Sequence, residues 1–280
     1  MLTFVGKTKK SFRHLHLKLS LKGYQPLFWA QSGIRNWGDD LNPWLFNKLT
    51  GAKAKFCDYP SYPKLLMAGS ILHRAGPNDI CWGTGLLSPE HAKFARLRKV
   101  VAVRGPLTHQ LLSQNGIDVP QLFGDPGILA PDLVNVSQTK LTKAVLIPHY
   151  TEEEAGRKWA QEKGADFLSV STSTEDFIAR VAQSEVVVSS SLHGIICAES
   201  LGIPAVWTKF GGEIIGGRFK FDDYLLGTGR QVKHLVPLDS NKSHINLDSL
   251  IQEALPPFNV SEYKAELLRC FPFATKRNVS

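Results

Sequence analysis

The sequence predicts an α/β protein whose parallel sheets are covered by helices on both faces and divided between two compact domains. Three observations carry this reading. Short apolar runs alternate with helical patterns along most of the chain. The runs are continuous rather than alternating, as in strands buried on both faces. The length of 280 residues lies near the size at which one core stops growing and a second domain forms.

The elements follow in order. Gln25 to Ala30 reads as a buried strand, and the loop Asn36-Trp37-Gly38-Asp39-Asp40 opens a helix over Leu41 to Leu49. Lys64 to Ala68, Asp79 to Trp82 and Val100 to Val103 are strands that stop at glycine-bearing corners, Gly69-Ser70, Gly83-Thr84-Gly85 and Arg104-Gly105-Pro106. Pro106 suits the first turn of a helix that continues over Leu107 to Gln114 and ends at Asn115-Gly116. Gln121 to Phe123, followed by Gly124-Asp125-Pro126-Gly127, makes one more strand and turn. Pro131 to Lys143 is polar and aperiodic, the expected linker. The pattern then restarts, with strands at Ala144 to Ile147, Phe167 to Val170, Glu185 to Val188 and Ala205 to Trp207, and helices over Glu152 to Lys163, Thr174 to Gln183 and Ile195 to Leu201. The expected divisions are a basic arm over residues 1–23, an N-terminal domain over 24–135, a C-terminal domain over 140–245, and a segment over 246–280 whose last helix crosses back to the first domain.

Composition narrows the function. The first 22 residues carry Lys7, Lys9, Lys10, Arg13, Lys18 and Lys22 and no acid, so taking these six from the net charge of +8 leaves a body of about +2. That body lacks the basic bias of a nucleic-acid-binding domain, so no nucleic acid partner is expected. No apolar run reaches the roughly 20 residues that span a bilayer, and the start lacks the apolar stretch of a secretory signal, so the chain is expected to stay in the cytosol. Cys57, Cys81, Cys197 and Cys270 stand far apart, as free thiols would. The glycine clusters form neither a dinucleotide fingerprint nor a phosphate loop, and the nine histidines show no metal-ligand spacing, so neither a metal nor a resident cofactor is expected.

In open parallel sheets ligands bind beyond the carboxyl ends of strands, so the corners are where chemistry should lie. His193 follows a buried strand through Ser189, Ser190 and Ser191 and precedes Leu192, Gly194 and a helix, placing its imidazole beside a helix start that favours an anion. A plain capping role is the alternative. Arg104 ends another strand before a helix, where a guanidinium suits phosphate or carboxylate, the alternative being an ion pair with a distant acid such as Asp125. Asp39 and Asp40 open a helix, as caps or as a general base and a reader of sugar hydroxyls. Trp37, Trp44, Trp82 and Trp207 are either sugar-stacking faces or core.

The chain resembles the polysaccharide pyruvyl transferase family over roughly residues 36–224. The resemblance rests on N-W-G-D-D-L-N (36–42), A-G-S-I-L (68–72), W-G-T-G (82–85), V-R-G-P-L-T (103–108), G-D-P-G (124–127), S-S-S-L-H-G-I-I-C-A-E-S-L-G-I-P (189–204) and F-D-D-Y (221–224). It implies a GT-B-like fold of two Rossmann-like doubly wound domains facing a cleft. It also implies phosphoenolpyruvate as co-substrate and a cyclic pyruvate ketal on a hexose of an exopolysaccharide, or of its lipid-linked repeat unit, as product. On the resemblance, Arg104 and His193 match the family's donor-site arginine and histidine. Many members carry arginine two residues before that histidine, where this chain has Ser191. Weight then shifts to Arg104, Arg218 or Lys220. The expected donor site is Arg104, Ser189, Ser190, Ser191, Leu192, His193, Gly194, Arg218 and Lys220; the expected acceptor site is Asn36, Trp37, Asp39, Asp40, Ser70 and Trp82. Protonated His193 is the expected general acid and Asp39 the base. The basic arm is a candidate peripheral contact with the inner membrane leaflet. The alternatives are a GT-B-type glycosyltransferase using a nucleotide sugar and a carbohydrate-binding protein without turnover.

Overall fold

The computed structural model describes residues 19–31, 33–60, 62–94, 97, 99–211, 215–231, 238–239 and 247–276. Most of the basic arm lies outside them. Two five-stranded sheets form, and every strand pairing in both is parallel. The first holds β1 (Gln25–Phe28), β2 (Ala54–Phe56), β3 (Leu65–Leu66), β4 (Ile80–Trp82) and β5 (Lys99–Ala102) in the order β2-β1-β3-β4-β5. The second holds β6 (Thr142–Ile147), β7 (Asp166–Phe167), β8 (Ser184–Ser189), β9 (Ala205–Lys209) and β10 (Leu238–Asp239) in the order β10-β9-β8-β6-β7. Numbered within each sheet, both run 2-1-3-4-5, a Rossmann-like doubly wound order whose direction reverses between the first and third strands.

The strands are short, and what makes them strands is burial on both faces. Val145, Leu146 and Ile147 of β6 face Val187, Val188 and Ser189 of β8 in register, and all six are buried. Gln121 to Phe123 does not become a strand: it contributes one isolated parallel bridge, Val103 to Phe123. The expected linker starts late, because Pro126–Leu133 winds as a buried 3-10 turn capped by Asp125, whose side chain accepts from the Gly127 N–H. Irregular chain then runs over 134–141.

Helix α1 (Trp37–Thr50) begins at Asn36, whose side chain accepts from the Gly38 N–H, and ends at Gly51, whose φ of 78° suits only a residue without Cβ. Pro43 lies inside it and cannot donate to the Asp39 carbonyl four residues back. Asn42 fills that gap, its side-chain amide donating to the Asp39 oxygen at 2.9 Å and to the Ala68 oxygen at 3.2 Å. The helix start is thereby bonded to the end of β3. The remaining helices are α2 (Pro106–Gln114), α3 (Glu153–Lys163), α4 (Thr174–Ala182), α5 (Leu192–Ser200), α6 (Phe219–Gly227), α7 (Leu247–Gln252) and α8 (Val260–Arg269).

The largest apolar cluster runs unbroken from β1 and α1 through Ile128, Leu129 and Ala130 into β6, β8 and α5. Helix α8 adds to it after the chain has left the second sheet. Its Leu267 carbonyl accepts from the Trp82 indole at 3.0 Å, and the Tyr263 hydroxyl accepts from the Asp125 N–H at 3.1 Å. A second tie is ionic. Arg104, after β5, donates through Nε to Asp223 of α6 at 3.1 Å and through Nη2 to the Leu86 carbonyl at 2.7 Å, and both charged side chains are 0% exposed. The same Asp223 carboxylate accepts from the Thr108 N–H at 2.9 Å and from its hydroxyl at 2.7 Å, capping the first turn of α2, where Gly105 has no side chain to do so. A Cβ on Gly105 would lie 1.7 Å from the Asp223 carbonyl oxygen. All four cysteines are free, and among the described residues no helix is long and apolar enough to cross a membrane.

Removing one partner of a buried ion pair leaves the other charge uncompensated, which costs about 3–5 kcal/mol. Asp223→Ala should therefore lower the unfolding free energy by about that amount. The double variant Arg104→Met/Asp223→Leu, which leaves no orphan charge, should lose less than the single one; denaturant unfolding of the three chains measures both.

Candidate functional site

A cavity of about 530 Å³ opens where the carboxyl ends of both sheets meet. Its walls come from the two reversal points of strand order. Phe28, Trp29 and Ala30 end β1, Gly69, Ser70 and Ile71 follow β3, His149 and Tyr150 follow β6, and Ser191, Leu192 and His193 follow β8. Asn36 and Asp39 enter from the start of α1 and Lys220 from α6.

His193 is held by shape. Its ring lies against Gly38, where an added Cβ would fall 2.0 Å from Nδ1, and it meets the Trp37 indole edge-on at 6.3 Å. Gly38 is therefore needed for the room it leaves. The buried Nε2 has no hydrogen-bond partner and stands 3.6 Å from Asp125 Oδ1, an ion-pair distance once the imidazole is protonated. Nδ1, the other ring nitrogen, lies on the Gly38 side of the ring. At the start of α5 the Gly194 and Ile195 N–H groups donate to the Ser191 carbonyl at 3.1 and 3.3 Å, which leaves the Leu192 and His193 N–H groups, with the positive end of the helix dipole, beside this ring.

Two further charges lie in the same wall. Burial pushes the Asp39 carboxyl up from 3.8 to about 6, opposed by His193, by the Asn36 amide that donates to it at 2.9 Å, and by Lys220. Burial pulls the Lys220 ammonium down from 10.5 to about 8, helped by Arg104 and opposed by Asp39 and Glu152. Each group relieves part of the other's burial penalty. On the far wall, Arg74 donates to Asp58 at 2.6 Å and lies over the Phe28 ring, with Trp29 edge-on to Phe56 at 5.1 Å.

The residues expected from sequence divide into three groups. Asn36, Asp39, Ser70, Ser191, Leu192, His193 and Lys220 line the cavity. Ser189, Ser190, Gly194 and Arg104 stand behind it: Ser189 Oγ donates to the carbonyls of Ile147 and Ser191, Ser190 Oγ accepts from the His149 N–H, and Gly194 leaves room for Ser189 Oγ. Arg104 reaches the cavity only through Ser70, to whose hydroxyl Nη1 donates at 2.7 Å. Its partner is Asp223 rather than Asp125.

Four residues stand elsewhere. Trp37 is 1% exposed and stacked on Phe177 at 4.6 Å, and Trp82 is fully buried with its N–H on Leu267, so neither presents a face to a sugar. Asp40 pairs with Arg35 at the surface, and Arg218 pairs with Asp222 one turn on, its guanidinium over the Trp207 ring. Trp29, Arg74, His149 and Tyr150 line the cavity as well, beyond the residues expected from sequence. His149 and Tyr150 follow a strand as His193 does, so the same strand-end rule finds them. Among the described residues no three His, Cys, Asp or Glu side chains gather as a metal site would need.

Residues 36–208 match the profile of a family described as polysaccharide pyruvyl transferase. A protein of Acanthamoeba polyphaga mimivirus described as uncharacterized protein L143 is 32% identical over 201 residues, 68% of this chain and 70% of its own length. The succinoglycan biosynthesis protein ExoV of Rhizobium meliloti is 28% identical over 213 residues, 71% of this chain and 63% of its own length. A solved structure of a functionally uncharacterized Klebsiella pneumoniae protein aligns over 78% of this chain and 93% of its own with a TM-score of 0.41 and 14% identity.

A carboxyl whose folded pKa is raised favours its protonated form in the folded state. The stability it contributes is complete below its unfolded value, 3.8 for Asp39, and is lost as the pH rises through about 6. Asp39→Asn has nothing to ionise there. Thermal unfolding from about pH 4 to about pH 7.5 should show the wild type losing stability relative to Asp39→Asn mainly between about pH 4 and 6; parallel curves would mean that the carboxyl keeps its ordinary hydration.

Proposed function

The chain belongs to the polysaccharide pyruvyl transferase family, and from that premise we propose that it moves the pyruvyl group of phosphoenolpyruvate onto a hexose as a cyclic ketal, releasing phosphate. The observation that carries the proposal is one cavity wall holding a helix start, the ammonium of Lys220, the imidazole of His193 and the carboxyl of Asp39. A donor with two anionic groups suits it. The phosphate is assigned to the amides opening α5 with the Ser191 hydroxyl, and the carboxylate to Lys220.

The chemistry balances as follows. His193, protonated and paired with Asp125, gives a proton to the methylene carbon, C3, and the electron deficiency passes to C2. A sugar hydroxyl adds to C2 as its proton moves to Asp39, a carboxylate in most molecules above about pH 6. A second hydroxyl of the same sugar then displaces phosphate at C2 and closes the ring. One hydroxyl proton balances that delivered to C3 and the other leaves with phosphate.

The aromatic wall of Trp29, Phe28 and Phe56, with the Asp58–Arg74 pair at its rim, is the assigned acceptor side. The acceptor is a hexose of an exopolysaccharide or of its lipid-linked repeat unit, in keeping with the succinoglycan role in the name of the Rhizobium relative. Two like-ordered sheets facing one cavity support a GT-B-like arrangement of two domains. The basic arm is assigned to an anionic membrane surface.

Ligand at about 100 times its dissociation constant adds roughly 2.7 kcal/mol of stability, a rise of several degrees. Phosphoenolpyruvate should raise the unfolding temperature by that order, nucleotide sugars should not, and Lys220→Met should abolish the effect. A shift with nucleotide sugars alone would replace the proposal with glycosyl transfer. His193→Gln and Gly38→Ala, the second of which puts a methyl group where the imidazole lies, should keep the phosphoenolpyruvate shift and lower phosphate release with acceptor by about 10²–10⁴-fold.

A further inference from the structure

His149 lines the cavity and has no part in the reaction as written above. Its surroundings fix which of its nitrogens carries the proton. The main-chain N–H donates to Ser190 Oγ at 2.8 Å, tying the residue to the corner after β8, and the ring lies against Tyr150 at 4.3 Å. Nδ1 accepts from the Thr151 main-chain N–H at 3.4 Å and lies 2.7 Å from the Thr151 hydroxyl. A nitrogen that accepts a main-chain N–H carries no proton, so the hydroxyl donates to it as well. The neutral ring then holds its hydrogen on Nε2, its one polar group without a partner in its own turn. The charged groups around it are Lys220 and, beyond that ammonium, Asp39 and Glu152. Burial and Lys220 together pull the ring down to about 4, which keeps it neutral at ordinary pH.

We propose that His149 is a further substrate-binding residue, a neutral donor whose Nε2–H bonds the carboxylate of the enolpyruvyl substrate beside Lys220. The assignment rests on the pyruvyl-transfer reading and extends it. Its logic is electrostatic. The carboxylate stays on the transferred group throughout, and protonation of C3 puts positive charge on C2, one bond away. Lys220 already supplies one cation to that carboxylate. A second cation would oppose the charge growing at C2, whereas a neutral N–H holds the carboxylate in line without adding to it. The Thr151 contacts keep the hydrogen on the correct nitrogen, as a partner on one ring nitrogen sets the role of the other.

Long-range proton–nitrogen spectra of the ¹⁵N-histidine-labelled chain test this directly, with phosphoenolpyruvate as the probe. The His149 ring should show a protonated Nε2 and a bare Nδ1 from about pH 5.5 to about pH 8, and phosphoenolpyruvate should move the Nε2 proton downfield. Binding should weaken about ten-fold or more in His149→Leu and stay within about three-fold in His149→Gln, whose side-chain amide still donates. A doubly protonated ring at neutral pH, a proton on Nδ1, an Nε2 signal that phosphoenolpyruvate leaves in place, or wild-type affinity in His149→Leu would each overturn the assignment. A wild-type chain that gives no thermal shift with phosphoenolpyruvate overturns the underlying reading instead, and that measurement needs no variant and no assignment of the ring.

Discussion

The geometry of the cavity depends on one buried ion pair. Arg104 follows the last strand of the first sheet, and Asp223 sits on the helix after β9 of the second. Arg104 also holds the Ser70 hydroxyl in one wall, while the helix that carries Asp223 carries Lys220 in the other. The spacing between the walls is thus set by hydrogen bonds in a dry interior rather than by contacts at the rim. A buried pair of this kind is a poor source of net stability, because desolvation offsets most of the attraction. Its value lies in register: Thr108, Leu86 and Ser70 fit round the pair in a single arrangement.

Against that fixed frame two charged groups of the cavity are held under electrostatic stress. Asp39 and Lys220 are each displaced from their ordinary ionisation by burial, and each is the other's partial relief. Groups kept at some cost to stability, inside a cavity, are what a site needs when an anionic substrate is to complete its charge balance. The imidazole of His193 is likewise clamped between Gly38 and Gly127 rather than free to choose its partner.

Sequence reading follows the parallel strands well because buried strands are written as runs such as Val186-Val187-Val188, and their corners as glycine and serine. It also reaches His193, Asp39 and Lys220. It fails where a role depends on residues far along the chain. Arg104 looks like an anion-binding residue from its neighbours alone, since Asp223 lies 119 positions away. Trp37 stands at a helix start and Trp82 at a strand end, where sequence places a site, yet Phe177 stacks on the first and the Leu267 carbonyl binds the second, and neither contact is written locally. β2 and β10, three and two residues long, carry too little periodicity to be seen. His149 was within reach of the strand-end rule, but the neutral state of its ring comes from burial and Lys220 and its tautomer from Thr151, and both need three dimensions.

Helix α8 gives the chain an order of assembly. The Trp82 indole and the Asp125 amide belong to the first half of the sequence, and both find their partners in residues 263 and 267. On a ribosome adding about 5–20 residues per second, those groups wait on the order of ten seconds for the segment that covers them. Until then the Trp82 indole on the interior strand β4 and the Asp125 amide lack the partners that α8 brings. The last helix to be made is thus the one that completes the packing and hydrogen bonding around residues of the first half.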